Sequence, residues 1–272
     1  MKKVLFCILC CLVMTGCGNV KVDNENVTNG NNSVEKAHEE ALEDIVKEDE
    51  VTETTESVED SQQEDIEKES EEPKTMLTFI GHASVKIVAK DGTCIFIDPQ
   101  YYKWDYKSEE ADYILVTHGH EDHKPSRDLK LKEDGILITN KEAIIDGVHQ
   151  TFDYGNVKIE AVPAANENHD IQFTAGYIVT VDGITFYHAS DTSMIEEMKE
   201  LTSRNLDYAM YPIDGEYNMG PEEATEVANL VGAKHNIPIH DMCVEDKSKF
   251  DRFTPEGKLF LEYGETIEAT AE

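Results

Sequence analysis

The amino-acid sequence predicts an α/β fold in four layers, with two β-sheets packed face to face and helices outside them. From residue 76 to residue 272 the chain alternates short apolar segments with turn signals. Asp-Gly pairs at 91–92 and 182–183 each separate two apolar segments, which indicates β-hairpins. Both halves of this region run from strands into helices, and that repeated plan suits an αββα sandwich.

Local patterns place the individual elements. Strands are predicted at 77–80, 84–89, 93–97, 113–116, 135–139, 157–162, 175–181, 184–188, 207–211, 236–239 and 258–263. A short helix is predicted to start at residue 141, and two further helices are predicted at about 194–201 and at 221–231. The last of these has proline at its first position and glutamate in its first turn, both of which favour a helix start.

The first residues are typical of a targeting segment. Two lysines precede an apolar run, residues 4–14, that is too short to span a membrane. The run leads to Gly16 and Cys17, which resembles the bacterial lipoprotein box, where cleavage before the cysteine leaves a thiol that carries diacylglycerol. We therefore expect residues 1–16 to be a signal peptide. The protein would be lipid-anchored through Cys17 on the extracytoplasmic face of the cell membrane, unless the segment is an ordinary secretory signal.

Residues 17–75 are predicted to form a disordered acidic tether, followed by one domain at 76–272. Between residues 18 and 75 there are 20 acidic and 5 basic side chains, a net charge of -15, and no Phe, Trp or Tyr. Such a segment buries too little apolar surface to offset the entropy of ordering.

Charge also limits the possible partners. The chain has 57 acidic and 24 basic residues, a net charge of -33, which disfavours a nucleic-acid partner because phosphate binding uses clustered Lys and Arg. That argument is weaker for a metallo-nuclease, in which metal ions meet the phosphate. A small-molecule substrate is the expected partner, and the oligomeric state is left open. Cys94 and Cys243 can pair or stay free thiols, with free thiols favoured.

The strongest chemical signal follows the strand predicted at 113–116. The sequence there reads Thr-His-Gly-His-Glu-Asp-His, a His-x-His-x-Asp-His motif. Imidazole and carboxylate groups are ligands of borderline divalent metals. His118 and His120 can reach one ion from a loop while Asp122 and His123 turn towards a second. The alternative, a solvated histidine-rich loop, is disfavoured by this spacing.

The motif resembles the signature of the metallo-β-lactamase superfamily, and the resemblance covers residues 76–263. The segment around Asp98 is similar to the aspartate at the end of the family's second strand. The segment around Asp191 is similar to the family's Gly-Asp-Thr segment, although Ser190 replaces its glycine. Two further segments, Gly-His-Ala-Ser at 81–84 and residues 212–224, are similar to the branch that contains ascorbate-6-phosphate lactonase. The Gly-His-Ala start is also similar to phospholipase D enzymes that act on N-acyl phosphatidylethanolamine.

The resemblance implies a binuclear metal centre. It implies His118, His120 and His169 at one ion, Asp122, His123 and His240 at the other, Asp191 as the bridge, and Asp98 as the hydrogen-bond partner of a ligand imidazole. Two divalent ions are expected, zinc first and manganese or iron as alternatives. For the third ligand, Asn166 and Asp170 remain alternatives to His169.

The implied activity is a hydrolase that uses metal-activated hydroxide on an ester, lactone or phosphodiester. Asp122 and His82 are the predicted catalytic residues, although a structural hydrogen-bonding role suits His82 equally well. Tyr217 and Met219 could line the pocket, but packing is favoured for both. The alternative functions are a phospholipase-D-like phosphodiesterase acting on membrane lipid and a metal-dependent binding or sensing protein without turnover.

Overall fold

The computed structural model describes residues 72–101, 103–241 and 248–271. The predicted signal peptide, Cys17, most of the predicted tether and Cys243 lie outside the described residues. Thr75 is buried, and its hydroxyl donates to Asp182 Oδ2 at 2.6 Å, so the folded body includes this residue. Across the described ranges, no helix is both long enough and apolar enough to cross a membrane.

The first sheet has six strands, in the order β14-β1-β2-β3-β4-β5 when strands are numbered along the chain. These are β1 (Met76–Gly81), β2 (Ser84–Val88), β3 (Cys94–Ile97), β4 (Glu110–Leu115), β5 (Lys130–Ile138) and β14 (Glu265–Glu268). The pairs from β14 to β3 are antiparallel, whereas β3, β4 and β5 are parallel. The hairpin predicted at 91–92 is confirmed between β2 and β3.

The second sheet repeats this plan in the order β13-β12-β11-β10-β9-β8. Its strands are β8 (Thr151–Asp153), β9 (Val157–Pro163), β10 (Ala175–Val181), β11 (Ile184–His188), β12 (Tyr208–Pro212) and β13 (His235–Ile239). Strands β8 to β11 are antiparallel and β11, β12 and β13 are parallel. A small separate hairpin joins β6 (Ile144–Ile145) to β7 (Val148–His149).

The apolar residues divide into an interior and two outer faces. Side chains from both sheets, such as Ile87 and Ile159, share one cluster between the sheets. The outer face of the second sheet is covered by α2 (Pro221–Val231) and a 3-10 helix (Glu196–Ser203). Over the first sheet, within the described ranges, the covering is a single 3-10 turn, Tyr106–Ser108, with loops. The αββα sandwich is therefore confirmed, with one thin outer layer.

Several predicted elements differ in detail. The strand predicted at 258–263 is wrong: this stretch makes one isolated bridge, Asn236 to Lys258, and the strand that pairs with β1 lies further on as β14. The helix predicted at about 194–201 is a 3-10 helix. The short helix α1 (Asn140–Ala143) is confirmed, whereas α3 (Ser248–Arg252) had no sequence signal.

The last strand brings the two ends of the described fold together. Met76 of β1 is the register partner of Glu268 of β14. Just outside these strands, the Ala269 N–H donates to the Thr75 carbonyl at 2.8 Å. The chain therefore enters and leaves the sandwich at the same edge of the first sheet.

Candidate metal centre

The candidate ligands lie on loops that follow strand ends. Parallel strands end at the same edge of a sheet, which is where α/β proteins place their sites. Asp98 directly follows β3, and the histidine motif follows β4. In the second sheet, Asp191, Asp214 and His240 come one to three residues after β11, β12 and β13. His169 lies on the loop after β9.

Three histidines form the first cluster. His120 Nδ1 lies 3.1 Å from His118 Nε2 and 3.1 Å from His169 Nε2. His118 and His169 are buried, whereas His120 is exposed. Burial, helped by the nearby His123, lowers the pKa of His118 to about 3. His118 is therefore neutral near pH 7, the state in which an imidazole nitrogen binds a metal.

A second cluster contains His82, Asp122, His123 and His240. One donor atom from each of the four lies within 4.8 Å of all the others. Asp122 Oδ2 is 3.2 Å from His82 Nε2 and 3.8 Å from both His123 Nε2 and His240 Nε2. The Asp122 side chain is 51% exposed, so this cluster opens to solvent on one side.

Asp191 joins the two clusters. Its Oδ1 lies 3.3 Å from His123 Nε2, and its Oδ2 lies 3.3 Å from His240 Nε2 and 3.5 Å from His169 Nε2. Burial opposes ionisation of Asp191, but His123 and His240 outweigh it and hold the pKa of this carboxyl well below its usual range. The buried carboxylate thus faces both sets of imidazoles, as a bridging ligand would.

Asp98 orients His123 from behind. It is fully buried and accepts hydrogen bonds from the Thr117 N–H at 2.8 Å and the Thr117 hydroxyl at 2.7 Å. His123 Nδ1 lies 2.7 Å from Asp98 Oδ2. An acceptor at Nδ1 keeps a proton there and turns Nε2 towards Asp191, the arrangement expected behind a ligand histidine.

Buried polar atoms without partners test whether this cluster fits a metal. Within the described ranges, His123 Nε2, His240 Nε2 and Asp191 Oδ1 are buried and make no hydrogen bond. An unsatisfied buried polar atom costs about 1–3 kcal/mol. All three atoms point to one small region and all belong to metal-ligating groups, so the residues present fit a divalent ion.

Ser190 stands where the family's Gly-Asp-Thr segment has glycine. Its φ is 66°, in the left-handed region that favours glycine. Its side chain is buried, and the hydroxyl has no hydrogen-bond partner in the described part of the chain. The serine therefore fits, but in a strained backbone conformation.

The centre opens into a cavity of about 420 Å³. The cavity is lined by His120, Asp122, Asn168, His169, Asp191, Tyr217 and His240. Sequence reasoning missed Asn168 and favoured a packing role for Tyr217, which is in fact 47% exposed. A clue to Tyr217 was present, because it lies between Glu216 and Asn218 in a polar loop, where an aromatic side chain has few apolar neighbours to pack on.

The other predicted residues occupy distinct places. Asp170 Oδ1 accepts the Gln172 N–H at 2.8 Å, and Asn166 contacts His169 Nδ1 at 2.8 Å, so His169 is the one of the three that joins the first cluster. His188 Nε2 contacts the Ala83 carbonyl at 2.8 Å, and it is buried in the strand as predicted. Met219 is fully buried.

Comparison with known proteins agrees with this site. The family described as Beta-lactamase superfamily domain matches residues 76–240. The UPF0173 metal-dependent hydrolase of Geobacillus sp. (strain WCH70) is 35% identical over 225 residues, covering 71% of this chain and 99% of the relative. The corresponding figures for YtkL of Bacillus subtilis (strain 168) are 32% over 225 residues, 71% and 99%.

Solved structures give the same result. A protein described as a metal-dependent hydrolase, from Parabacteroides distasonis, superposes with a TM-score of 0.56 at 28% identity, covering 68% of this chain and 92% of that one. The metallo hydrolase Igni18 of Ignicoccus hospitalis shares the fold, with a TM-score of 0.57 at 21% identity, covering 71% and 97%. The fold and site are those of a metal-dependent hydrolase of the metallo-β-lactamase superfamily. Within it, the chain belongs to the UPF0173 family.

Proposed function

We propose that this protein hydrolyses an ester, a lactone or a phosphodiester with two divalent ions bound at the candidate centre. The observation that carries the proposal is Asp191, a buried carboxylate within 3.5 Å of imidazoles from both clusters. In this proposal His118, His120 and His169 hold one ion, Asp122, His123 and His240 hold the other, and Asp191 bridges them. Zinc is the proposed metal, with manganese and iron as alternatives.

When bound, such ions supply a hydroxide near neutral pH and polarise the oxygen of the substrate. The chain's own residues position the reaction. Asp98 fixes the ring of His123, while Tyr217 and Asn168 form the wall against which a substrate would rest. Asp122 and His82, 3.2 Å apart at the open side, are the proposed groups for moving the proton that the leaving group needs.

The resemblance of residues 81–84 and 212–224 to the ascorbate-6-phosphate lactonase branch supports a lactone or related ester as substrate. A decisive panel would contain lactones, simple esters, thioesters and phosphodiesters, including an N-acyl phosphatidylethanolamine. Turnover of the lipid phosphodiester alone would favour the phospholipase-D-like alternative. Metal binding without turnover on any member would favour a binding or sensing protein.

Metal content measured beside turnover tests the proposed centre. The wild type should hold about two ions per chain. His120→Ala should lose one ion and nearly all turnover, and Asp191→Ala should disturb both ions because it removes the shared charge. His235→Ala is a control, since His235 stacks on Tyr208 with ring centroids 4.7 Å apart, outside both clusters. Two tightly bound ions and normal turnover in Asp191→Ala would contradict the proposal.

We also propose that the protein is a lipoprotein anchored through Cys17 on the extracytoplasmic face of the cell membrane. The support is the Gly16-Cys17 pair after an apolar run, together with the alignments to relatives. These cover 99% of the Geobacillus relative but only 71% of this chain, so about three tenths of the chain has no counterpart there. Cys17→Ser should abolish lipid labelling and release the protein from membranes. A variant that stays membrane-bound in high salt would refute the anchor.

A further inference from the structure

A chain of polar contacts runs behind the two clusters. It begins at Asp214, whose Oδ2 lies 3.1 Å from His240 Nδ1 in an ion-pair contact without the geometry of a hydrogen bond. The same Oδ2 accepts from Asn218 Nδ2 at 2.8 Å. Asn218 Oδ1 in turn accepts from Asn166 Nδ2 at 2.8 Å, and Asn166 Oδ1 lies 2.8 Å from His169 Nδ1. The chain thus links a histidine of one cluster to a histidine of the other.

Asp214 is a firmly held acceptor. Its Oδ1 receives the backbone N–H groups of Glu216, Tyr217 and Asn218 at 2.8, 2.6 and 3.2 Å. Its Oδ2 accepts from the Asn218 side chain, so both carboxyl oxygens are occupied by donors. With three N–H donors on Oδ1 and an amide donor on Oδ2, Asp214 acts as the acceptor at this end of the chain.

This fixes which group donates and which accepts at each contact in the series from Asp214 to His169. Because Asn218 donates to Asp214 through its nitrogen, its oxygen is left to accept from Asn166. Two backbone groups orient Asn166 in the same sense. Its Oδ1 accepts the Asn168 N–H at 2.8 Å, and its Nδ2 donates to the Tyr217 carbonyl at 3.0 Å. Asn166 can therefore only accept from His169, so the proton of that imidazole lies on Nδ1.

The geometry points to Asp214 as a positioning residue for both halves of the proposed centre. Its carboxylate faces His240 Nδ1 at 3.1 Å and is linked to His169 through Asn218 and Asn166, an arrangement that favours a proton on Nδ1 of each imidazole and leaves Nε2 for an ion. This inference deepens the proposed function and rests on it for the metal, but the position of the His169 proton exists without metal.

Asp214→Asn is the most direct test, because it changes one atom and keeps the shape. The three backbone N–H groups should retain the amide oxygen, which places its NH₂ group against His240 Nδ1 and Asn218 Nδ2. His240 must then move its proton to Nε2 to accept at Nδ1, and Asn218 faces a donor where it needs an acceptor. Both histidines should change, although Asp214 touches only one of them.

The readout is the imidazole ¹⁵N and ¹H spectrum of the full chain, metal-free and zinc-loaded, with zinc affinity from chelator competition. In the wild type, His169 should carry its proton on Nδ1 in both states, and zinc-bound His240 should do the same. Asp214→Asn should shift both sets of signals and weaken zinc binding about 10–100-fold. Asn166→Leu should shift His169 alone. Asn166→Asp, which can still accept, should restore the wild-type His169 tautomer.

Asp207→Asn is the matched control. Asp207 is also a buried aspartate that accepts from a backbone N–H and a side chain, those of Thr185, but it lies at the opposite end of β12. It should lose stability and leave both histidine signals and zinc affinity unchanged. If Asp214→Asn leaves the His169 signals as in the wild type, Asp214 does not position that histidine and the inference is overturned. A wild type that binds no zinc would instead refute the proposed function, while the metal-free spectra would still decide the inference.

Discussion

Two groups of residues adopt the same backbone conformation for different reasons. Seven non-glycine residues in the described ranges have positive φ. Three of them are Asp or Asn in exposed turns: Asp146, Asp182 and Asn205. The other four lie in the loops around the candidate centre and are buried or half-buried: His82, Asp98, Ser190 and His240.

The two groups differ in how much backbone strain a positive φ causes. Asp and Asn enter the left-handed region at low cost because their short side chains bond the local backbone. Serine makes such bonds more weakly, and the Asp98 carboxylate bonds Thr117 and His123 instead, so contacts with the surrounding structure hold these residues there, as is common at functional sites. The apolar interior between the sheets provides the stability against which that strain is held.

The largest effect should come from Asp98, whose buried carboxylate holds Thr117 and His123 beside the candidate centre. Asp98→Ala removes the acceptor of Thr117 and His123 and should lower the free energy of unfolding of the metal-free protein by about 4 kcal/mol. Zinc affinity should fall about 10–100-fold as well. Urea unfolding and chelator competition measure the two losses. A variant as stable as the wild type would mean that the contacts of Asp98 with Thr117 and His123 do not stabilise the fold.

The interior should lose stability without losing metal. Ile159 is fully buried between the sheets, and Ile159→Ala should cost about 3 kcal/mol through lost burial and a cavity. Metal content below the unfolding transition should match the wild type, because no ligand loop contains this residue. Loss of an ion in this variant would show that the interior and the candidate centre are coupled.

Relieving strain at the centre should raise stability by a smaller amount. Ser190→Gly removes a left-handed serine and an unpartnered buried hydroxyl, so the free energy of unfolding should rise by about 1 kcal/mol. Ser190→Ala should recover only the part due to the hydroxyl. Asn205→Gly, in an exposed turn, should change stability by less than about 0.5 kcal/mol. Equal gains from Ser190→Gly and Asn205→Gly in thermal unfolding would remove the distinction between the two groups.

The smallest effect on stability near neutral pH concerns Cys94, a buried thiol away from the centre. Cys94 is a buried free thiol, and burial raises its pKa to about 11. Because the neutral form is favoured, its contribution to stability is present below the pKa of an unfolded thiol and is lost as pH rises towards 11. In a chain that begins at residue 18 and carries Cys243→Ser, disulfide-exchange labelling at pH 8 should be about 100-fold slower than after unfolding. Rapid labelling of the folded chain would contradict this.

The sequence predicted the elements whose patterns are local. Both Asp-Gly hairpins and the helix Pro221–Val231 were confirmed because turn chemistry and helix-start residues act over a few positions. The strand predicted at 258–263 failed because its apolar residues pack on the sandwich without pairing. The true edge strand, Glu265–Glu268, is mostly exposed and polar, and long-range pairing with β1 defines it.

The candidate site divides in the same way. The His-x-His-x-Asp-His motif is compact in sequence, and the structure brings all its predicted ligands to one place. Residues 212–224 were noted only as a resemblance, and Asn166 only as an alternative ligand. The contacts among Asp214, Asn218 and Asn166 appear only where two distant loops meet in the fold. Tyr217 was assigned to packing because exposure next to a cavity is a property of the folded loop.

The pairing of β1 with β14 bears on how this domain can be combined with others. Thr75 and Ala269 are hydrogen-bonded neighbours. The two ends of the folded region therefore lie side by side at one point of its surface. Such a unit can be inserted into a surface loop of a host protein, or its ends can be joined and new ones opened elsewhere, without moving either sheet. The loops of the candidate centre, which follow other strand ends, would keep their places.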